Sequence, residues 1–342
     1  MESKQLLDLL AAYKRSDKAF QATSYWASYE SSILKAIAEI ELEELRSSKY
    51  PVLATFGFND AVYTYHPRVP FYINWALKFI HKFIIGSRGI LPYGLGLSGL
   101  RQIAYDNCEL VGEVSAAVPI SSIGMSTFGR PRDLFQFSGK SYSMAFLDYY
   151  IRYCFVHRNM RFRGDEVVVE LGSGSGYQVE LLKKAHPGLT ILCFDLPAQL
   201  FLCEQYLSKA LGEDEVVGTR ETIDWTDLSK LKKGAVHFFG SWQFPFVREL
   251  DIDLFWNAAS FGEMEPDVVK NYLGHVVERA RWVYLLQARF GKETQGETRV
   301  EKKIRFEDYV GFLEGYSVES ERDARKALGH MPEYFEAMWK RN

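Results

Sequence analysis

The sequence predicts an α/β fold, a Rossmann-like domain on a parallel sheet, preceded by a mainly helical region. Three observations carry this. After Arg163, short apolar runs of strand length alternate with stretches of helical periodicity, the pattern of βαβ units covered on both faces. The first of these runs ends in a glycine-rich turn, VVVELGSGSG, where a strand hands over to a helix. Before Gly139 the chain reads instead as helices with Gly-, Pro- and Ser-rich connections. The boundary is therefore placed near Gly139, giving a helical segment 1–138 and an α/β segment 139–342.

Lys4 to Arg15 has the periodicity of an amphipathic helix, and its charges exclude a secretory signal. A second helix is expected from Ser24 to about Ser47, with Leu34, Ile37, Ile40, Leu42 and Leu45 on a broken apolar face. Phe71 to Ile85 is too short and too charged to span a bilayer. Asn74, Lys78 and Lys82 recur every four residues there, which suits a mostly buried helix, with a membrane-surface helix as the alternative. Gly86 to Arg132 reads as loops and short elements, and Ser141 to Asn159 as a helix. Then follow a strand (EVVVELG), a helix from Tyr177 to Ala185, a strand (TILCFDL) and a helix from Ala198 to Leu211. Two further strands (AVHFFG, DLFWNAA), a helix from Pro266 to Arg281 and a strand (WVYLLQARF) complete the series.

Composition narrows the function. A net charge of -3 offers no global support for a nucleic-acid partner held by counterion release. Cys108, Cys154, Cys193 and Cys203 are scattered without a CxxC spacing, against a disulfide framework or zinc site and in keeping with a reducing cytoplasm. Asp251 and Asp253 form only a weak acidic pair at a strand start, so a metal-independent site is expected.

The glycines raise the question of which nucleotide they hold. Gly172, Gly174 and Gly176 follow a GxGxG spacing, whereas the dinucleotide fingerprint requires a small residue where Tyr177 stands. No Lys-Ser or Lys-Thr pair closes the turn as in a phosphate-binding loop. Glu170, just before the glycines, would repel a pyrophosphate but suits a ligand carrying an ammonium and a sulfonium. Asp195, with Leu196 after it, ends the second strand, where a carboxylate can accept both ribose hydroxyls. This combination points to S-adenosylmethionine; the bland alternative is a tight turn without ligand. Ser241 and Trp242 follow the third strand, where they could meet the edge and face of an adenine, and Asn257 ends the fourth.

The chain resembles the putative sugar O-methyltransferases of bacterial glycan and antibiotic clusters, a group of class I S-adenosylmethionine-dependent methyltransferases. The likeness rests on FGRPRDLFQFSGKSYSMAFLDYYIRY, VVVELGSGSG, FDLPAQLFLCEQYL and DLFWNAASFGEMEPDVVKNYL, and covers roughly Thr127 to Phe290. Arg130 stands where the family usually has Asn, and Gly-Ser-Gly where Gly-Gly-Gly is commoner. The resemblance implies methyl transfer to a sugar hydroxyl, an N-terminal region that covers the acceptor, and a homodimer. A phenolic or polyketide acceptor is the first alternative, and a non-catalytic scaffold the second.

A hydroxyl acceptor needs a base to take its proton. Similar O-methyltransferases place a His after the fourth strand; Glu263 falls nearest that place and is the first candidate. His237, inside the third strand, is the second, with a core role as its alternative. Ser260 could orient the acceptor, and Tyr142, Tyr149 and Arg152, on the helix entering the domain, could line its pocket.

Overall fold

The computed structural model describes residues 4–47, 50, 52, 53, 57, 58, 92–292, 300 and 302–342. In chain order the helices are α1 (Lys4–Arg15), α2 (Ser24–Glu39), α3 (Pro92–Ser115), α4 (Met144–Met160), α5 (Tyr177–Ala185), α6 (Pro197–Leu211), α7 (Thr219–Thr222), α8 (Pro266–Val276) and α9 (Phe306–Phe312). A small hairpin of β1 (Phe135–Phe137) and β2 (Lys140–Tyr142) precedes α4. The main sheet holds β3 (Val167–Leu171), β4 (Thr190–Asp195), β5 (Val216–Val217), β6 (Val236–Gly240), β7 (Ile252–Ala258), β8 (Ala280–Ala288), β9 (Tyr316–Arg325) and β10 (His330–Arg341).

The sheet order is β5-β6-β4-β3-β7-β8-β10-β9. Its first six strands are parallel to one another, and β10 and β9 are antiparallel additions at one edge. The near-continuous apolar runs follow from burial on both faces. Along β3, β4 and β7, Val168, Ile191, Cys193, Leu254 and Trp256 pack under α4, α5 and α6. Their neighbours Val169, Leu192, Phe194 and Phe255 face the other layer, which includes α8 and α9. The helical region packs outside the first layer: α1 and α2 lie on α6, and α3 lies on α4.

Several expectations change. The stretch read as loops becomes, from Pro92 onward, the 24-residue helix α3. Its buried Ala104, Tyr105 and Cys108 pack in the same core as α4, and that packing overrides the weak helix propensity of its glycine-rich start. Helix α2 stops at Glu39, because Ile40 is extended and a 3₁₀ turn, Leu42–Glu44, follows. Helix α8 stops at Val276. The expected helix over Phe71 to Ile85 lies outside the described residues. The boundary placed near Gly139 falls in the turn of the β1–β2 hairpin. No helix among the described residues is long and apolar enough to cross a membrane.

Candidate functional site

Strand order reverses at β3, whose neighbours β4 and β7 run on from it in opposite directions along the sheet. Ligands of open α/β sheets bind beyond the carboxyl ends of strands at such a switch. A cavity of about 230 Å³ lies there, walled by the ends of β3, β4 and β7 and roofed by Gln21, Ala22, Thr23 and Trp26.

The turn after β3 explains its own glycines. Gly172 has a φ of 79°, and a Cβ there would stand 2.6 Å from Ser260 Oγ and 2.7 Å from Ser260 Cβ. Gly176 has a φ of 75° and forms the N-cap of α5. A Cβ on it would meet the Leu207 side chain at 2.9 Å and Cys203 Sγ at 3.0 Å, so α5 and α6 could not sit as close. Two of the three glycines are thus required by the protein's own packing as well as by the backbone. Gly172 and Gly174 line the cavity, and Gly176 does not.

Asp195 is held in place by the turn. Its Oδ2 accepts from the Gly174 amide and its Oδ1 from the Leu196 amide, each at 2.8 Å. Burial pushes its pKa up to about 6 against these hydrogen bonds, with the Glu263 charge adding to the rise. Glu170 is buried, 6% exposed, and its Oε2 has no hydrogen-bond partner. Burial pushes its carboxyl up to about 8; the Asp195 charge adds to this and the Arg152 charge opposes it. Gln178, whose amide oxygen and nitrogen are both buried without partners, lines the same cavity. Orphaned polar atoms are rare in protein interiors, and here Glu170, Gln178 and the Arg152 Nε present them to one space. That donor and acceptor set, with a cation-seeking carboxylate and a strand-end Asp, fits S-adenosylmethionine.

Glu263 lines the cavity and is ion-paired with Lys292, whose Nζ also donates to Tyr25 Oη at 3.2 Å. Burial raises the Glu263 pKa, and the Lys292 charge opposes the rise. The helical region closes this side: Thr23 Oγ1 donates to the Glu263 carbonyl at 3.1 Å, and Ser241 Oγ donates to the Phe20 carbonyl at 2.7 Å.

Of the residues singled out in the sequence, the structure brings Glu170, Gly172, Gly174, Asp195, Leu196, Ser241, Tyr149, Arg152, Ser260 and Glu263 to the cavity. The others lie elsewhere, each for a visible reason. Tyr142 is fully buried, with its hydroxyl donating to the Ile120 carbonyl at 3.0 Å. Trp242 folds back over Gly240, where a Cβ would stand 2.2 Å from its ring, and packs near Tyr13. Asn257 is a strut under the floor: its Nδ2 donates to the Leu171 carbonyl and to Ser260 Oγ, and its Oδ1 accepts from Gln287 Nε2. His237 is fully buried within β6, its Nε2 accepting from the Lys232 amide at 3.0 Å. Two further histidines, His157 on α4 and His275 on α8, pack against aromatic rings and do not line the cavity.

Reading the sequence missed Gln178, Gln199, Trp26, Trp256 and Lys292. Gln178 follows the glycine turn by two residues and Gln199 follows Asp195 by four, so proximity to the motifs was a usable signal for these two. Trp26 and Lys292 come from distant segments, and no local pattern marks them. Among the described residues no group of three His, Cys, Asp or Glu side chains could hold a metal ion.

No family model and no curated protein sequence matches this chain. Similar solved structures include the mitomycin 7-O-methyltransferase, with 14% identity, 57% of each chain covered and a TM-score of 0.38. The pyocyanin biosynthetic protein PhzM shows 16% identity over 57% of each chain, with a TM-score of 0.38. Magnesium protoporphyrin IX methyltransferase from Synechocystis PCC 6803, with bound SAH, shows 13% identity over 57% of this chain and 81% of its own, with a TM-score of 0.37. The chain thus spans 57% of the length of the first of these. The chain itself carries a Rossmann-like, mostly parallel sheet with helices on both faces, joined to a helical N-terminal region.

Proposed function

We propose that this protein is an S-adenosylmethionine-dependent O-methyltransferase whose acceptor is a hydroxyl of a sugar or a glycosylated natural product. The observation that carries the donor is the cavity at the strand switch, where the free Oε2 of Glu170 faces the same space as Asp195 and the glycine turn. When bound, the donor supplies a methyl group on a sulfonium. Glu170 would favour its positive charge, and Asp195 would accept from its ribose hydroxyls, its carboxylate held in position by the Gly174 and Leu196 amides. Gly172 lets the turn lie against Ser260, and Ser241, at the cavity wall, would lie beside the adenine.

Glu263 is the proposed general base. Burial raises its pKa, which makes it a stronger proton acceptor than an exposed carboxylate, and the Lys292 charge opposes that rise and favours its ionised form. The rest is positioning: the acceptor oxygen must align with the methyl–sulfur bond, and residues 21–23 and Trp26 keep bulk water from that line. In this reading residues 1–138 cover the acceptor and 139–342 bind the donor.

A phenolic or polyketide acceptor is the second reading, favoured by the aromatic lining from Trp26, Tyr149, Tyr177, Trp256 and Tyr272. Calorimetry with S-adenosylhomocysteine tests the donor: no binding sinks every enzymatic reading. A panel of sugar and phenolic acceptors with isotopically labelled donor, read by mass spectrometry, then separates the two. Labelling of phenols alone would refute the sugar assignment.

A further inference from the structure

The two opposite charges that face the cavity from β3 and α4 are not paired with each other. Glu170 keeps Oε2 without a partner, and Arg152 keeps Nε buried without one. The Arg152 guanidinium lies 4.6 Å over the ring of Tyr149, one turn earlier on α4, which fixes its direction without using its donors. The carboxylates that act on its charge, Asp148 and Glu336, are committed elsewhere. Asp148 accepts from the Ala327 amide at 2.8 Å and pairs with Lys326. Glu336 accepts from Arg322 Nε at 2.8 Å and from Tyr284 Oη at 3.2 Å. They balance the guanidinium charge electrostatically and leave its hydrogen-bonding capacity open.

We propose that Arg152 and Glu170 form a split receptor for the amino-acid end of the methyl donor, with Arg152 binding the α-carboxylate and Glu170 the α-ammonium. This rests on the donor reading above, and it moves Arg152 from the acceptor pocket to the donor site. A zwitterion is the ligand that satisfies both walls at once, because an anion alone leaves Glu170 repelled and a cation alone leaves Arg152 unsatisfied. A planar guanidinium on a rigid helix matches a carboxylate in bidentate geometry, which a lysine cannot reproduce.

The test compares ligands as well as variants of the full chain, by calorimetry. S-adenosylhomocysteine carries the amino-acid end; 5′-methylthioadenosine keeps the nucleoside and thioether but lacks it. Arg152→Met should weaken S-adenosylhomocysteine by about 10–100-fold, the loss of charge-assisted hydrogen bonds, and leave methylthioadenosine within about twofold. Arg152→Lys should recover part of the loss. In the wild type, decarboxylated S-adenosylmethionine should bind about 10–100-fold more weakly than S-adenosylmethionine, a comparison that needs no variant to fold. Equal losses for both ligands in Arg152→Met would assign it a structural role and overturn the proposal. So would unchanged S-adenosylhomocysteine affinity with a raised KM for the acceptor. If the wild type binds methylthioadenosine as tightly as S-adenosylhomocysteine, the receptor fails while the donor site stands; if it binds neither, both fail.

Discussion

Replacing Glu170 by Gln should stabilise the empty protein at alkaline pH and weaken its hold on the donor. Glu170 is buried at the end of β3 with Oε2 unpartnered, and its carboxyl is pushed from 4.5 up to about 8, chiefly by burial. A folded-state pKa above the unfolded value means that stability is complete below the unfolded pKa and is lost as pH rises through the folded one. For Glu170 the window runs from about 4.5 to about 8. At 1.36 kcal/mol for each pH unit, the loss reaches at most roughly 5 kcal/mol, and relaxation of the site brings the expected value to about 2–5 kcal/mol. Gln fills the same space and does not titrate. Urea unfolding of the ligand-free proteins should therefore give stabilities within about 1 kcal/mol at pH 5, diverging in favour of Glu170→Gln by about 2–5 kcal/mol at pH 9. Donor binding should show the reverse order, because the carboxylate is the form that meets a cation. In the wild type, binding near pH 7 should release a proton, seen as a calorimetric heat that depends on the buffer's ionisation enthalpy. A stability difference that stays constant between pH 5 and pH 9 would refute the reasoning, since only ionisation of Glu170 makes it grow.

Gly172→Ala meets both a φ of 79° and the Ser260 side chain at under 3 Å. It should lower stability by about 1–3 kcal/mol and abolish donor binding; a variant of wild-type Tm and affinity would show that the turn is not constrained as described. Glu263→Gln should reduce kcat by about 100- to 10,000-fold with S-adenosylhomocysteine affinity nearly unchanged, and retained kcat would remove Glu263 as the base. Wild-type activity should fall as pH drops through the raised pKa of Glu263, where the base becomes protonated. Lys292→Met removes the charge that opposes this rise, so the acid limb of the pH–rate profile should move to higher pH. A limb that stays in place would mean that another group titrates there.

The α/β domain was legible because its strands are buried on both faces. A strand such as β4 must be apolar along its interior, since Ile191 and Cys193 feed one core layer and Leu192 and Phe194 the other. The edge hairpin was not legible for the converse reason. Most of β9 is solvent-exposed, so YSVESERDAR carries charges where a buried strand would show a hydrophobic pattern. Helix α3 was hidden by the glycines near its start, whose low propensity is outweighed by packing that no local window contains.

The same division runs through the site. Local sequence determined the glycine turn, Glu170 before it and Asp195 after the next strand, because backbone conformation and strand ends are set within a few residues. Only the tertiary structure decided what faces them. Trp26 from α2 reaches the cavity, Lys292 beyond β8 pairs with Glu263 at its wall, and Arg152, expected at a pocket, faces Glu170 there, all across separations that periodicity cannot see. It also decided that Trp242, Tyr142, Asn257 and His237 stay out of that cavity, each held by a hydrogen bond or a ring contact of its own. A side chain's residue type declares the chemistry it can perform; the packing around it decides whether that chemistry has anything to act on.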